Sequence, residues 1–166
     1  MGDGVAVTVF TPSQLTRRVD RLQDYLDAWG DLSIRDIGAA GDVRLVEFLV
    51  DAPGSDLPTD VRLLYREYYR RAGRGRWHIA KYTYEYVDLR SGRRLAYHLH
   101  DLLPRRLVPH AHCGSAVVDA SQEPREHFRA VEYDLREAHE AFMRLYAADL
   151  DPDCAAFLPL DVDRTP

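Results

Sequence analysis

The stretch WHIAKYTYEYVDLRSGRRLAYHLH, Trp77–His100, decides the fold of this chain. Aromatic and β-branched residues alternate with polar ones on both sides of Ser91-Gly92, as in two strands joined by a short turn. A run of the same kind, Val61–Arg71, precedes this stretch and is separated from it by a glycine turn. The pattern predicts an antiparallel meander with strands over 61–71, 77–88 and 93–100.

The sequence before the meander predicts a short strand, a helix and a hairpin. Val5–Phe10 alternates as a strand does, and Thr11 follows as a helix N-cap with Gln14 placed to close a capping box. Apolar residues then recur at spacings of three and four up to Gly30, which indicates a helix with one buried face. From Leu32 the period changes to two, and this predicts a hairpin with strands over 32–37 and 43–50.

The sequence after the meander predicts a second helix. Asp119–Pro124 is a polar helix start, and apolar residues follow at helical spacing from Phe128 to Leu145. The predicted fold class is therefore α+β: an antiparallel, aromatic-rich β-sheet flanked by an N-terminal helix and a long C-terminal amphipathic helix. In this interpretation residues 1–150 form a single α+β domain and residues 151–166 form an irregular C-terminal tail.

The composition favours a cytoplasmic, reduced protein. The chain has 166 residues, 46% of them hydrophobic, which is enough to bury a core. Its net charge of −5 means that any RNA contact needs a local basic patch rather than an overall basic surface. The chain has two cysteines and neither a secretory leader nor an apolar run of membrane-spanning length, so no membrane association is expected.

Four of the seven histidines lie in the segment YHLHDLLPRRLVPHAHC, Tyr97–Cys113. Residues two apart on a strand point to the same side, so His98 and His100 share a face, as do His110 and His112. In an antiparallel hairpin with His100 opposite His110 and His98 opposite His112, the four imidazoles would converge on one patch.

Two chemistries suit such a patch. Three or four neutral imidazoles bind Zn or another transition metal, and three leave an open position for catalysis. Alternatively, two histidines act as base and acid in cleaving an RNA phosphodiester, while arginines hold the phosphate. In the second interpretation the catalytic residues are His98, His100, His110 and His112, and the substrate-binding residues are Arg105, Arg106, Tyr84 and Tyr97.

A third interpretation treats these histidines as half-buried structural residues of a sheet. The residue opposite His98 depends on the turn at Ser91-Gly92: a two-residue turn places Glu85 there, whereas a shift by one residue places Tyr84 there. The sequence leaves this register open. Each of the three remaining histidines is predicted to lie at the surface or at a boundary: His78, His127 and His139.

A second candidate surface is the run RLLYREYYRRAGRGRW, Arg62–Trp77. On a strand, Arg62, Arg66 and Arg70 share one face, and interleaved arginines and tyrosines can hold phosphates and stack unpaired bases. Arginines beside tyrosines are also common on a solvated sheet face, and that interpretation is favoured for each arginine taken singly.

Part of the chain, Trp77–Cys113, carries a Lys-Tyr-x-Tyr strand, a glycine turn, an aromatic residue beside a polar one and a Pro-His-x-His segment. The residues concerned are Lys81, Tyr82, Tyr84, Gly92, Tyr97, Pro109, His110 and His112. In these features the chain resembles the TumE-type toxins of bacterial toxin–antitoxin pairs. The resemblance implies a role directed at RNA or translation.

The predicted function is a toxin-like or defence-associated RNA-acting protein, namely a ribonuclease that uses the two His-x-His pairs. The alternatives are a metal-dependent enzyme that acts on a small molecule and a non-catalytic binding module. The ribonuclease needs no cofactor, whereas the metal-dependent enzyme needs Zn or another transition metal on His98, His100, His110 and His112. The expected partners are RNA, an antitoxin or other neighbouring-gene protein, and a second copy of the chain in a homodimer.

Overall fold

The described part of the chain forms an antiparallel β-sheet with two helices. The computed structural model describes residues 8–51, 60–103, 106–115, 126–129 and 133–147. The strands are β1 Val9–Phe10, β2 Asp31–Ala40, β3 Val43–Asp51, β4 Val61–Arg71, β5 Trp77–Asp88, β6 Arg93–Leu103, β7 Arg106–Ser115 and β8 Glu126–Arg129. The helices are α1 Pro12–Asp27 and α2 Leu135–Ala147. From β2 to β8 the strands lie side by side in chain order, and β1 pairs with β5, so the α+β class and the antiparallel meander are confirmed.

The turn between β5 and β6 has four residues. Asp88 pairs with Arg93, and the Asp88 carboxylate accepts hydrogen bonds from the backbone N–H groups of Arg90 and Ser91. This longer turn places Thr83 opposite His98. Neither the register of a two-residue turn, with Glu85 opposite His98, nor the register shifted by one residue, with Tyr84 there, is therefore correct.

Helix α1 begins where the sequence predicts. The Thr11 side chain accepts a hydrogen bond from the Gln14 backbone N–H, and the Gln14 side chain accepts one from the Thr11 N–H, which completes the capping box. The helix ends at Asp27, a little before Gly30. The strand predicted over Val5–Phe10 is described only as Val9–Phe10, since residues 1–7 lie outside the described residues.

The C-terminal helix is shorter than predicted. Phe128, expected on this helix, belongs to strand β8, and α2 has 13 residues. Asp134 and Glu137 exchange capping-box hydrogen bonds, and these fix the helix start at Leu135. The predicted start at Asp119–Pro124 and the tail 151–166 lie outside the described residues. Neither described helix has the length and apolar character that a membrane span requires.

The core lies between the helices and one side of the sheet, called the helix face below. Alternate residues of β4, β5 and β6 point to this face because successive side chains of a strand alternate in direction. Tyrosines fill much of it, and the rings of Tyr82 and Tyr84 stack with centroids 4.4 Å apart. The buried tyrosines of these three strands are Tyr65, Tyr69, Tyr82, Tyr84, Tyr86 and Tyr97.

A charged group lies in this core. Glu67 on β4 is fully buried, and Arg18 of α1 donates to its two carboxylate oxygens at 2.7 and 3.4 Å. The hydroxyls of Tyr69 and Tyr84 also donate to this carboxylate. Burial alone would lower the pKa of Arg18, but the adjacent Glu67 carboxylate raises it above its ordinary value. The ion pair fastens α1 to the sheet.

Removal of the arginine should leave the buried carboxylate without its counter-ion. We expect Arg18→Ala to lower the free energy of unfolding by about 3–5 kcal/mol, as found when one partner of a buried ion pair is removed. The control is Arg17→Ala, at an exposed neighbouring position of the same helix. This variant should lower the free energy of unfolding by less than about 0.5 kcal/mol. Urea denaturation measures the free energy of unfolding of both variants. Equal decreases in the two variants would show that the contact between Arg18 and Glu67 contributes no stability of its own.

His139 of α2 is fully buried, contrary to the prediction of a boundary residue. Its Nδ1 lies 2.7 Å from the Tyr65 hydroxyl, and its ring packs edge-on against Trp29 at 4.8 Å between centroids. Burial lowers the pKa of His139 to about 4. The neutral imidazole joins α2 to both the sheet and the end of α1.

This burial predicts a pH dependence of stability. The pKa of His139 is about 4 in the folded protein, against about 6.5 in an unfolded chain. As the pH falls from about 6.5 to 4, the unfolded chain takes up a proton that the folded protein rejects, so stability falls by about 3 kcal/mol in total. Urea denaturation between pH 7 and 4.5 should show a shallower decline for His139→Gln than for the wild type. An equal decline in the stability of both proteins with falling pH would show that His139 is not the group responsible.

Candidate metal centre

Pairing of β6 with β7 brings three of the four predicted histidines together. His98 lies opposite His110, and His112 lies opposite Ala96, two residues away from the predicted pairing. The predicted register is therefore wrong by two residues: one register runs from the Arg93–Ser115 pair to the Asp101–Leu107 pair, and an irregularity separates it from the Leu103–Arg106 pair. A shift of two residues keeps every side chain on its predicted face, so the histidines still share one side of the sheet.

The three imidazoles form a compact group, called the histidine triad below: His98, His110 and His112. One ring nitrogen from each lies within 4.8 Å of those of the other two. The ring centroids are 5.4 Å apart for His98 and His110, 4.6 Å for His98 and His112, and 4.8 Å for His110 and His112. The three residues are only 8%, 2% and 6% exposed.

The triad has a carboxylate beside it. Glu85 lies on β5, on the same side of the sheet, and its Oε1 is 3.9 Å from Nε2 of His98. Arg94 of β6 donates to the same carboxylate oxygen. Glu85 had been considered as the residue opposite His98, but it lies diagonally to it, because Ala96 is its direct partner.

Among the other predicted site residues, only Tyr84 and Tyr97 have described side chains, and neither lies at the triad. Tyr84 and Tyr97 are fully buried on the helix face, so they lie on the opposite side of the sheet from His98. Arg105 lies outside the described residues, and Arg106 is described only through its backbone, opposite Leu103. His100 is likewise described through its backbone, opposite Val108.

One further histidine, outside the predicted site, has its backbone position next to the triad. His127 lies on β8, directly opposite His112 in the β7–β8 pairing. It was assigned to the surface or a boundary, within a stretch predicted to be helical. A four-residue strand offers too few alternations to compete with the helical spacing that continues from Phe128.

The dimensions of the triad are close to those of a metal site. For three nitrogens at most 4.8 Å apart, some point lies within about 2.8 Å of all of them, and a Zn–N bond measures about 2.0–2.1 Å. Each imidazole would therefore move inward by about 0.7 Å or less to bind a metal ion. Three neutral imidazoles are a ligand set that suits Zn, Cu, Fe and Ni.

Comparison of the chain with protein-family models, curated proteins and solved structures gave no match. The resemblance to TumE-type toxins therefore stays a prediction from the residues that carry it.

The triad predicts a metal-dependent gain in stability. With free Zn²⁺ at about 100 times its dissociation constant, binding should stabilise the folded protein by about 2.7 kcal/mol and raise the melting temperature by roughly 5–10 °C. Mg²⁺ should give no shift, because it prefers oxygen ligands. The variant His112→Ala should lose the Zn²⁺ shift, whereas His78→Ala, on β5 away from the triad, should keep it. A shift that survives His112→Ala would rule out the triad as the binding site.

Proposed function

We propose that this protein binds a divalent transition metal through His98, His110 and His112 and acts as a metal-dependent enzyme on a small molecule. The observation that carries the proposal is the convergence of three buried imidazoles whose ring nitrogens lie within 4.8 Å of one another. Three protein ligands are the usual number in catalytic zinc sites, where the fourth position is taken by water or substrate.

The burial of the triad favours a small molecule over RNA. For acid–base cleavage, the base and the acid must come within about 2.6–3.2 Å of the reacting atoms. Imidazoles that are 2–8% exposed leave little surface for a polynucleotide backbone to reach. A metal ion and a small substrate need much less open surface.

The arginine row on β4 gives no further support to an RNA surface. Arg62 donates to the carboxylate of Asp51 at 2.8 Å, and Arg66 donates to that of Glu47 at 2.6 Å. Pairing with carboxylates offsets the positive charge that would attract phosphates. These arginines match the solvated sheet face favoured for them singly in the sequence analysis.

In the proposed centre, Glu85 has a positioning role. Its Oε1 lies 3.9 Å from Nε2 of His98, so a small inward movement would let it accept the N–H of that ring and leave the other nitrogen for the metal. Arg94 holds this carboxylate in place. A bound metal would supply Lewis acidity, while the three imidazoles hold it and the surrounding burial limits access of water.

The test measures metal content and activity in protein purified without a histidine tag. We expect about one equivalent of a transition metal per chain, and its loss in the double variant His110→Ala/His112→Ala, since the removal of two ligands leaves too few to hold the ion. The control His78→Ala should retain the metal.

An RNA-cleavage assay on the chelator-treated protein completes the test. We expect no cleavage by the metal-free protein. A protein that purifies without metal and does not bind added Zn²⁺, Cu²⁺, Ni²⁺ or Fe²⁺ would refute the metal centre. Cleavage of RNA by the metal-free wild type, abolished in the double variant, would favour the ribonuclease instead.

A further inference from the structure

The backbone pairing of β8 places a further histidine next to the triad. His127 is the direct partner of His112 on the neighbouring strand, and directly paired residues lie on the same face of a sheet. His112 in turn lies on the same face as His98 and His110. His98, His110, His112 and His127 therefore occupy neighbouring register positions on one face of the adjacent strands β6, β7 and β8.

His127 and His100 are the two candidates for a fourth ligand, and sheet geometry distinguishes them. With strands about 4.8 Å apart and a rise of about 3.4 Å per residue, His127 lies about 5 Å from His112, its nearest triad member. His100 lies about 7 Å from its nearest member, His98, because the two are successive residues on one face of the same strand.

The distance to the middle of the triad points the same way. On the same spacings, the backbone position of His127 is about 8 Å from the centre of the three triad positions, whereas that of His100 is about 10 Å away. His100 lies beyond His98, on the side away from His112, because its partner is Val108. His127 lies at the level of His112, on the side towards which the triad extends.

We propose that His127 is the fourth imidazole of the metal centre and that His100 is not a ligand. The inference rests on the proposed metal site at the triad. It makes β8 part of the centre, so that metal binding would link three neighbouring strands. On a four-coordinate metal this ligand set is closed, whereas a metal that accepts five or six ligands keeps a position for substrate.

The experiment compares matched histidine-to-alanine variants of the full chain in Zn²⁺ and Co²⁺ titrations with a chromophoric competitor. We expect His127→Ala to weaken affinity by at least about 100-fold, the upper end of the effect of losing a group that only supports a ligand. His100→Ala should stay within about threefold of the wild type. The absorption spectrum of bound Co²⁺ should change in His127→Ala and remain as in the wild type in His100→Ala.

Three results would overturn the assignment. Wild-type affinity and Co²⁺ spectrum in His127→Ala would remove His127 from the ligand set while leaving the triad intact as a metal site. A large loss in His100→Ala alone would assign the fourth position to that residue. Failure of the wild type to bind any of the metals would refute the proposed function together with this inference.

A measurement on the wild type covers the case in which His127→Ala does not fold. Electron paramagnetic resonance of the Cu²⁺-loaded protein counts the nitrogens bound to the metal. Four imidazole nitrogens support the proposal, and three contradict it. The variant His127→Gln, which keeps a polar side chain on β8, provides a second comparison.

Discussion

The backbone pairing of β6 with β7 is the constraint on which the candidate site depends. Its register sets His98 opposite His110 and leaves His112 one step further along the same face. Because side chains alternate along a strand, the same pairing sends Tyr97 and Ala111 to the helix face, where both are buried in the core. The hydrogen bonds between these two strands therefore bring the histidines together on one face and bury Tyr97 and Ala111 in the core on the other.

The two faces of the sheet hold their polar groups in different ways. On the helix face, Glu67 accepts hydrogen bonds from one arginine and two tyrosines, so its carboxylate is matched by donors from within the protein. Such a network ties α1 to the sheet and leaves no role for a ligand. On the other face, three imidazoles lie close together, and the Glu85 carboxylate is 3.9 Å from one of them. Neutral imidazoles are common metal ligands, whereas an ion pair with all its hydrogen bonds made within the protein is structural.

The buried position of the triad bears on what the protein can act on. A ribonuclease active site must expose its acid and base to a polymer, while a metal centre works when it is largely enclosed, since enclosure strengthens electrostatic interactions. Arg62 and Arg66 of β4 form ion pairs with carboxylates of β3, which lowers the positive potential on that part of the sheet. Both observations favour a small ligand. The Glu85–Arg94 ion pair also places a carboxylate near His98, and ligand histidines in metal sites are usually oriented by such a carboxylate.

The sequence by itself determined the strands of the meander, the start of α1 and the sheet face shared by His98, His110 and His112. Period-two alternation and a capping box are local signals, and each is complete within a few residues of the chain. The tertiary structure alone decided the register, because a shift of two residues preserves the alternation and so leaves no mark on the sequence pattern. The tertiary structure also decided that Phe128 belongs to a strand, although helical spacing continues across the residues of β8.

It decided as well that His139 is buried, because this burial depends on contacts with Tyr65 and Trp29, which are distant in the chain. Three of the four predicted histidines came together through that register, and the choice between His100 and His127 as their neighbour rests on strand pairing that no local pattern specifies.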